Sequence, residues 1–271
     1  MNHVHATCRA TRSGEIFASG EGLTTESLQA ITKGEALIVR VPAFTKTDVC
    51  VNIAKGLQSE GYKDYLNAPM VGRIGMSFFE TAGKPEIINH YFRTALPNIH
   101  TLRNACAPFQ SPIDVFRCAL DEAWPHGAHL QSLGNQKMFV GLSRNMKPGT
   151  PLLAHHDMFA RLAPNDIEAN DLLAQYAVNV YVDVPEHGGE LLMWRDEISD
   201  AEFLDRRGSK YGMDIEPLGT PDIVVKPQVG DLILFNARKL HAVASGQGSD
   251  RLTVSCFVGF RGADKPLTVW S

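Results

Sequence analysis

The chain has 271 residues, of which 44% are hydrophobic, so it is long enough to form one large domain with a substantial core. A formal net charge of −4, without any lysine- and arginine-rich run, argues against a nucleic-acid-binding protein. No apolar run reaches the length of about 18 residues that a membrane span needs, and five cysteines without a Cys-x-x-Cys pair argue against a disulfide scaffold or a zinc ribbon.

The first 130 residues carry mostly helical signals. A strand is predicted over residues 36–41, before the first of these helices. Helices are predicted over residues 48–57, 85–95 and 113–124. Thr45 or Thr47 can cap the first helix, and Gly56 is expected to end it. The third follows a Ser-Pro pair, which is typical of a helix start. We expect these helices to pack against one face of a sheet.

From residue 131 onwards, short apolar runs alternate with turn signals. Strands are predicted over residues 176–184, 190–194, 222–225, 231–235, 241–244 and 252–260. Many short strands of this kind are typical of a sandwich or barrel. The predicted fold is therefore mainly β with flanking helices, a double-stranded β-helix of the jelly-roll, cupin-like kind. We expect one domain over residues 1–271, in which the helix-rich segment 1–130 buttresses the roll and lines its pocket, and the segment 131–271 forms the roll with the metal site.

A His-His-Asp triplet and a distant histidine predict a metal site. Side chains alternate along a strand, so His155 and Asp157 should share one face and His156 should point to the other, where it would pack or support the ligands. His241, on a later strand, can complete the set. Two imidazoles and one carboxylate on one side of an ion form the facial triad of non-heme Fe(II) oxygenases, which leaves the opposite positions open.

An arginine follows the last histidine by ten residues, on a strand that is expected to return beside the strand of His241. Arg251 presents a rigid fork that matches a carboxylate, and Thr253, on the same face, can donate a hydrogen bond. We expect this pair to hold the far carboxylate of a dicarboxylic co-substrate that chelates the metal through its other end. By itself Arg251 could equally be a surface arginine. Arg261 is the fallback anchor, and Arg144 could hold either the co-substrate or a substrate carboxylate.

On these residues the chain resembles the Fe(II)/2-oxoglutarate-dependent oxygenase superfamily. Within it, the chain is similar to small-molecule oxygenases that include N-acyl amino-acid hydroxylases and hapalindole-type halogenases. Further similarity lies in residues 34–40, 71–75, 180–191 and 270–271. The resemblance implies Fe(II) held by His155, Asp157 and His241, 2-oxoglutarate as co-substrate and O2 as oxidant, with release of succinate and CO2.

Asp157 separates two reactions within the resembling group. The halogenases of that group have glycine or alanine at this position, and the vacated metal position takes chloride. A carboxylate here leaves no such position, so the sequence favours hydroxylation of an unactivated C–H bond over halogenation. Desaturation, epoxidation and ring closure stay open as alternatives.

The substrate pocket is predicted from the resembling group and from the N-terminal segment. The candidates are Arg73, Ile74, Met76, Phe78, Phe79 and Trp194. The apolar members could equally be core residues, since apolar side chains at alternating spacing usually are. Residues 201–220 form a long polar insertion, for which a lid over the substrate and a plain surface loop are equal alternatives.

Three classes of function are compatible with these patterns. The favoured one is a cytoplasmic hydroxylase of a small molecule, such as an amino acid, an N-acyl amino acid or another secondary metabolite, without nucleic-acid or membrane partners. The second is a 2-oxoglutarate oxygenase that acts on a protein or a nucleic acid, and the third is a non-catalytic, cupin-like metal-binding roll. The oligomeric state is open, and a homodimer is one option.

Overall fold

Two sheets pack against each other, and helices cover the outer face of the larger one. The computed structural model describes residues 11–13, 16–66, 68 and 70–271. Its strands are β1 (Thr11–Ser13), β2 (Ile16–Ala18), β3 (Ile38–Val41), β4 (Lys63–Asp64), β5 (Val71–Ile74), β6 (Ala128–Leu130), β7 (Ser132–Leu133), β8 (Gln136–Lys137), β9 (Leu142–Met146), β10 (Leu152–His155), β11 (Ala174–Asp183), β12 (Leu191–Met193), β13 (Ile223–Val225), β14 (Leu232–Asn236), β15 (His241–Val243), β16 (Arg251–Phe260) and β17 (Leu267–Trp270). The α-helices are α1 (Thr25–Thr32), α2 (Thr47–Glu60), α3 (Pro85–Cys106), α4 (Pro112–Ala123), α5 (Phe159–Leu162), α6 (Ile167–Asn170) and α7 (Asp200–Arg207).

The larger sheet has β11 and β16 at its centre. Its strand order is β1-β2-β3-β14-β11-β16-β9-β5-β4, and β17 joins it through β16 and β6. The smaller sheet has the order β10-β15-β12-β13, and it carries both candidate histidine ligands. The two sheets form a double-stranded β-helix, so the predicted fold class is confirmed. The short hairpin β7–β8 occupies the turn region near residue 135.

Alternation along β11 explains why this strand is apolar on both faces. Val178, Val180 and Val182 belong to the large core cluster shared with the helices, whereas Ala177 and Tyr181 belong to a second cluster between the sheets. A strand that is buried on both faces reads as a nearly continuous apolar run, as this one does. The second cluster also contains side chains from β12, β13 and β14, so it holds the two sheets together.

The structure changes one topological expectation from the sequence, in which the strand of Arg251 returns beside the strand of His241. Instead, β16 lies between β11 and β9 in the larger sheet, and β15 lies in the smaller one. Arg251 therefore approaches the histidines from across the interior of the roll, because the turn at 245–250 leads the chain from one sheet to the other.

The N-terminal segment supplies helices as predicted, but it also supplies strands to the roll. β3 pairs with β14, and β5 pairs with β9. Helix α2 does not end at Gly56 but continues to Glu60. A Cβ atom at Gly56 would lie 1.9 Å from the carbonyl oxygen of Ala105 in α3, so this glycine permits close contact between two helices. Within the described ranges, no helix is both long and apolar enough to cross a membrane.

Candidate active site

The three predicted metal ligands meet at one end of the strand pair β10 and β15 in the smaller sheet. His155 is the last residue of β10 and pairs with His241, the first residue of β15. Asp157 lies just beyond β10, not on it, and its backbone N–H donates to the carbonyl of Ala237 at 2.8 Å. One ligand atom from each of the three side chains lies within 4.8 Å of the other two. Asp157 therefore does not lie on the strand on which the alternation of side chains predicted it, although the three side chains come together.

Backbone carbonyls orient both imidazoles. His155 donates through Nδ1 to the carbonyl of Leu153 at 2.7 Å, and His241 donates through Nδ1 to that of Lys239 at 3.0 Å. A carbonyl can only accept, so both rings carry their proton on Nδ1 and leave Nε2 as a lone-pair donor. Burial, reinforced by the neighbouring His241, lowers the pKa of His155 to about 4, which keeps this imidazole neutral.

Asp157 is ionised in this setting. Burial opposes its ionisation, but the neighbouring His241, His155 and Arg144 side chains together lower its pKa to about 2. Its Oδ2 lies 3.5 Å from Nε2 of His241. Two imidazole nitrogens and one carboxylate oxygen, all within 4.8 Å of one another, are a donor set that fits a divalent transition metal such as Fe(II).

Arg251 and Thr253 lie on the inner face of β16 and are both buried. The guanidinium of Arg251 stands 4.9 Å from the ring centre of Tyr181 and donates to its hydroxyl at 3.3 Å. Its other contact is the sulfur of Met146 at 3.6 Å. Nε of Arg251 and Oγ1 of Thr253 are both buried without a hydrogen-bond partner. Buried donors of this kind are rarely left unpaired, so the pair fits the carboxylate of an anionic co-substrate.

Arg144, opposite Thr253 on β9, lines the cavity beside the metal ligands. Its Nη2 donates to Oγ of Ser255 at 3.0 Å and to Oδ1 of Asn179 at 3.4 Å. These partners are neutral, so they orient the guanidinium without neutralising it. Arg261, the fallback anchor, lies elsewhere: it binds the carbonyl of Glu168, Thr268 and Gln131.

The cavity next to the triad is mainly apolar. Its aromatic wall consists of Phe78, Phe159 and Trp270, with ring centres 5.8 Å apart for the first two and 4.8 Å apart for the last two. Leu142, Leu152 and Leu162 also line the cavity. A substrate in this space would place most of its surface against hydrocarbon.

The insertion predicted over residues 201–220 forms another wall of the cavity. Phe203 of α7 is buried against the ring of His156, with centres 4.4 Å apart. Arg161 donates to Oδ1 of Asp200 at 2.5 Å and to Nε2 of His156 at 2.7 Å. The hydroxyl of Tyr211 accepts a hydrogen bond from the backbone N–H of residue 153. Residue 156 therefore packs against this wall, as expected for the histidine that points away from the ligands.

The predicted substrate residues divide between the cavity and other places. Phe78 and Phe79 line the cavity. Arg73 does not, because its Nε donates to Glu80 at 2.6 Å and its Nη1 to the carbonyl of Gly75. The remaining three do not line it either: Ile74 and Met76 belong to the large core cluster, and Trp194 packs with Leu240 and Met213.

Sequence reasoning missed several residues around the site. Ser255 continues the alternation of Arg251 and Thr253 along β16, so the same period-2 argument could have found it. Tyr181 pairs with Thr253 in register, which no local pattern reveals. Arg161 and Tyr211 reach the cavity through tertiary packing of short loop elements. For Tyr181 and Arg161 the sequence offered no signal, whereas Tyr211 belongs to the insertion 201–220, for which a lid was one of the two expectations.

The double-stranded β-helix, with two histidines and an aspartate close together at one end of β10 and β15, agrees with the resemblance to the Fe(II)/2-oxoglutarate-dependent oxygenases drawn from the sequence, and solved structures share this fold. An N-substituted L-amino acid dioxygenase from Burkholderia ambifaria has the same fold, with a TM-score of 0.60 at 18% identity over 92% of each chain. Its complex with α-ketoglutarate matches with a TM-score of 0.59 at 17% identity over 91% of each chain.

A relationship is also visible in the sequence. The chain is 32% identical over 162 residues to L-gamma-glutamyl-L-propargylglycine hydroxylase from Streptantibioticus cattleyicolor. The match spans 59% of this chain and 59% of that protein, so it covers less than two thirds of the relative's length. No protein-family model matches the chain.

Proposed function

We propose that the protein is an Fe(II)- and 2-oxoglutarate-dependent dioxygenase that hydroxylates a C–H bond of a small molecule, such as an amino acid, an N-acyl amino acid or another secondary metabolite. One observation carries this proposal: His155, Asp157 and His241 form a cluster on one side of the roll, and Arg251 and Thr253, on the other sheet, have buried polar atoms without a partner. The named activities of the hydroxylase and the dioxygenase similar to this chain support it.

Each residue then has a defined role. The two imidazoles and Asp157 would hold Fe(II), and Arg251 with Thr253 would bind the far carboxylate of 2-oxoglutarate. Arg144 would lie beside the co-substrate or the substrate. The bound iron and co-substrate would supply oxygen activation with release of succinate and CO2. The protein's own contribution is to orient the ligands, to neutralise the carboxylates and to exclude water with the aromatic wall.

Two features favour a small substrate over a protein or a nucleic acid. The cavity is narrowed by the wall that α7 and Tyr211 form, and the net charge of −4 offers no attraction for nucleic acid. Desaturation and ring closure use the same site residues, so they stay as alternative outcomes. A single domain over residues 1–271 is the simplest organisation for this enzyme.

A reducing, cytoplasmic location belongs to the same proposal. Cys50, Cys106, Cys118 and Cys256 are free thiols, and Cys8 lies outside the described residues. Burial raises the pKa of Cys50 to about 11 and that of Cys106 to about 12, which keeps both as inert thiols. Free cysteines are usual in reducing compartments. A homodimer is compatible with the proposal, and sedimentation of the purified protein would establish the assembly.

The test is an anaerobic titration of the metal-free protein with Fe(II) and then with 2-oxoglutarate, followed through the visible charge-transfer band of the chelate. The wild type should develop the band, and His241→Ala and Asp157→Ala should lose it or require far more metal. His187→Ala, which alters an exposed histidine outside the site, is the matched control and should behave as the wild type. Failure of the wild type to form the band would contradict the proposed function.

A further inference from the structure

The cavity beside the triad contains a cation that has no direct acidic partner in the described ranges of the chain. Arg144 lines this cavity, and its hydrogen-bond partners, Ser255 and Asn179, are both neutral. Among the described residues, no carboxylate forms an ion pair with it at 4.0 Å or less, although Arg40, Arg73, Arg103 and Arg161 all have one. A partly buried arginine without a counter-ion is costly unless a ligand supplies the charge.

The co-substrate alone does not balance the charges at this site. Fe(II) would bring two positive charges, and Arg144 and Arg251 bring one each, since a guanidinium is always protonated. Asp157 contributes one negative charge and 2-oxoglutarate contributes two. One positive charge is left over when metal and co-substrate are bound. A substrate with one carboxylate near the metal would neutralise it.

We propose that Arg144 binds a carboxylate of the substrate, so that the enzyme selects acids over their neutral amides or esters. This inference rests on the proposed function and deepens it by naming the chemical class of the substrate. The apolar portion of that acid would lie against Phe78, Phe159 and Leu142, which line the same cavity. The rigid fork of Arg144, aligned by its two neutral partners, would fix the distance between the carboxylate and the carbon that reacts.

Arg144 is better placed for the substrate than for 2-oxoglutarate. The unpartnered donors that fit the co-substrate carboxylate belong to Arg251 and Thr253, neither of which lines the apolar cavity. Arg144 does line it, together with Ser255, which accepts its hydrogen bond. The two arginines therefore face different ligands.

The experiment compares acids with their amides. N-acetyl-L-leucine, N-acetyl-L-isoleucine, N-acetyl-L-valine and N-acetyl-L-phenylalanine are each paired with the C-terminal carboxamide. Binding to the protein loaded with Fe(II) and 2-oxoglutarate is measured by calorimetry without oxygen, and succinate formation is measured with oxygen. We expect at least one acid to bind and to stimulate turnover, and its amide to be weaker by at least about tenfold, the loss expected when a buried charge has no partner.

Variants assign this preference to one residue. Arg144→Gln should weaken binding of the acid on the order of thirtyfold and remove the preference over the amide, while the 2-oxoglutarate titration of the chelate band stays within about threefold of wild type. Arg144→Lys keeps the charge without the fork and should recover some of the preference, which separates recognition from misfolding. Arg206→Gln, on the exposed face of α7, is the matched control and should change nothing.

The outcomes distinguish this inference from the proposed function. If no chelate band forms in the wild type, the oxygenase proposal itself fails. If the band forms but amides bind and react as well as acids, or no acid of the panel stimulates turnover, the inference is overturned. It is also overturned if Arg144→Gln weakens 2-oxoglutarate binding as much as it weakens acid binding, because Arg144 would then be a co-substrate residue.

Discussion

Arg251 is a buried cation whose environment is organised by neutral side chains. Tyr181 offers its ring face and its hydroxyl, and Met146 offers sulfur. Burial lowers the pKa of Arg251 below its usual value, but arginine starts so high that it stays charged at neutral pH. Because the groups that hold this cation are neutral, binding of an anion beside it would be strongly favourable. A carboxylate bound to Arg251 would therefore stabilise the folded protein.

Replacing the fork of Arg251 should therefore weaken the co-substrate complex even if the charge is kept. We expect Arg251→Lys to raise the 2-oxoglutarate dissociation constant by about ten- to hundredfold, because an ammonium cannot pair with both carboxylate oxygens at once. Titration of the chelate band measures this directly.

Two further variants locate the effect. Tyr181→Phe keeps the ring but removes the hydroxyl, and it should raise the same constant only a few-fold, in line with one neutral hydrogen bond. Arg261→Lys changes the fallback anchor, which binds residues away from the triad, and should leave the constant unchanged. A large effect of Arg261→Lys with none of Arg251→Lys would reverse the assignment of the anchor.

Helix α2 is predicted correctly as a helix, but its predicted end at Gly56 is wrong. A glycine inside a helical pattern usually marks an end, because it destabilises the helix interior relative to alanine by roughly 0.5–1 kcal/mol. Gly56 instead lies where α2 contacts the backbone of α3, so its lack of a side chain is needed for packing. The helix continues for another turn to Glu60.

Gly56→Ala should consequently destabilise the protein although it improves helix propensity. The added methyl group would meet the Ala105 carbonyl at 1.9 Å, and backbone cannot yield as a side chain can. We expect a net loss of about 1–3 kcal/mol in the free energy of unfolding, typical of overpacking. Urea denaturation followed by circular dichroism measures it. Ser59→Ala, on the exposed side of the same helix, is the control and should stay within about 0.5 kcal/mol; equal stability of both variants would refute the packing account.

For the molecule as a whole, the class of fold is predictable because the strands have clear local signals. β11 and β16 are long, apolar and rich in β-branched residues, so their existence follows from composition. The sequence also indicates the three residues of the candidate metal site, because imidazole and carboxylate groups at short spacing are typical of metal sites. Which strands neighbour each other is not predictable: nothing local says that β16 lies in the larger sheet, away from β15.

Contributions from distant segments are equally hidden in the sequence. Arg73 is a candidate for the substrate pocket, yet Glu80 neutralises it, an ion pair that only the turn at 75–78 makes possible. Arg161 and Phe203 come together through a contact between a four-residue helix and an insertion. Such contacts depend on the packed whole, not on periodicity, so substrate recognition is the aspect of the site that the sequence describes least well.

The proposed metal ligands and the proposed co-substrate anchor belong to different sheets. His155 and His241 stand on the smaller sheet, Arg251 and Thr253 on the larger one, and between the sheets lie buried side chains such as Tyr181 and Phe235. Packed sheets keep a spacing of about 10 Å that side-chain volume sets and that loops cannot alter. The span between metal and arginine is thus a fixed property of the core.

A fixed distance between the metal site and Arg251 should favour keto acids of one chain length. We expect a five-carbon diacid to chelate the metal and reach Arg251, four-carbon oxaloacetate to fall short, and six-carbon 2-oxoadipate to need a folded conformation. We expect both to form the chelate at least about tenfold more weakly than 2-oxoglutarate in the same band titration, and equal affinity would show that the anchor moves. Residues that touch no ligand would then decide, through the fixed spacing of the two sheets, which keto acid binds at this site.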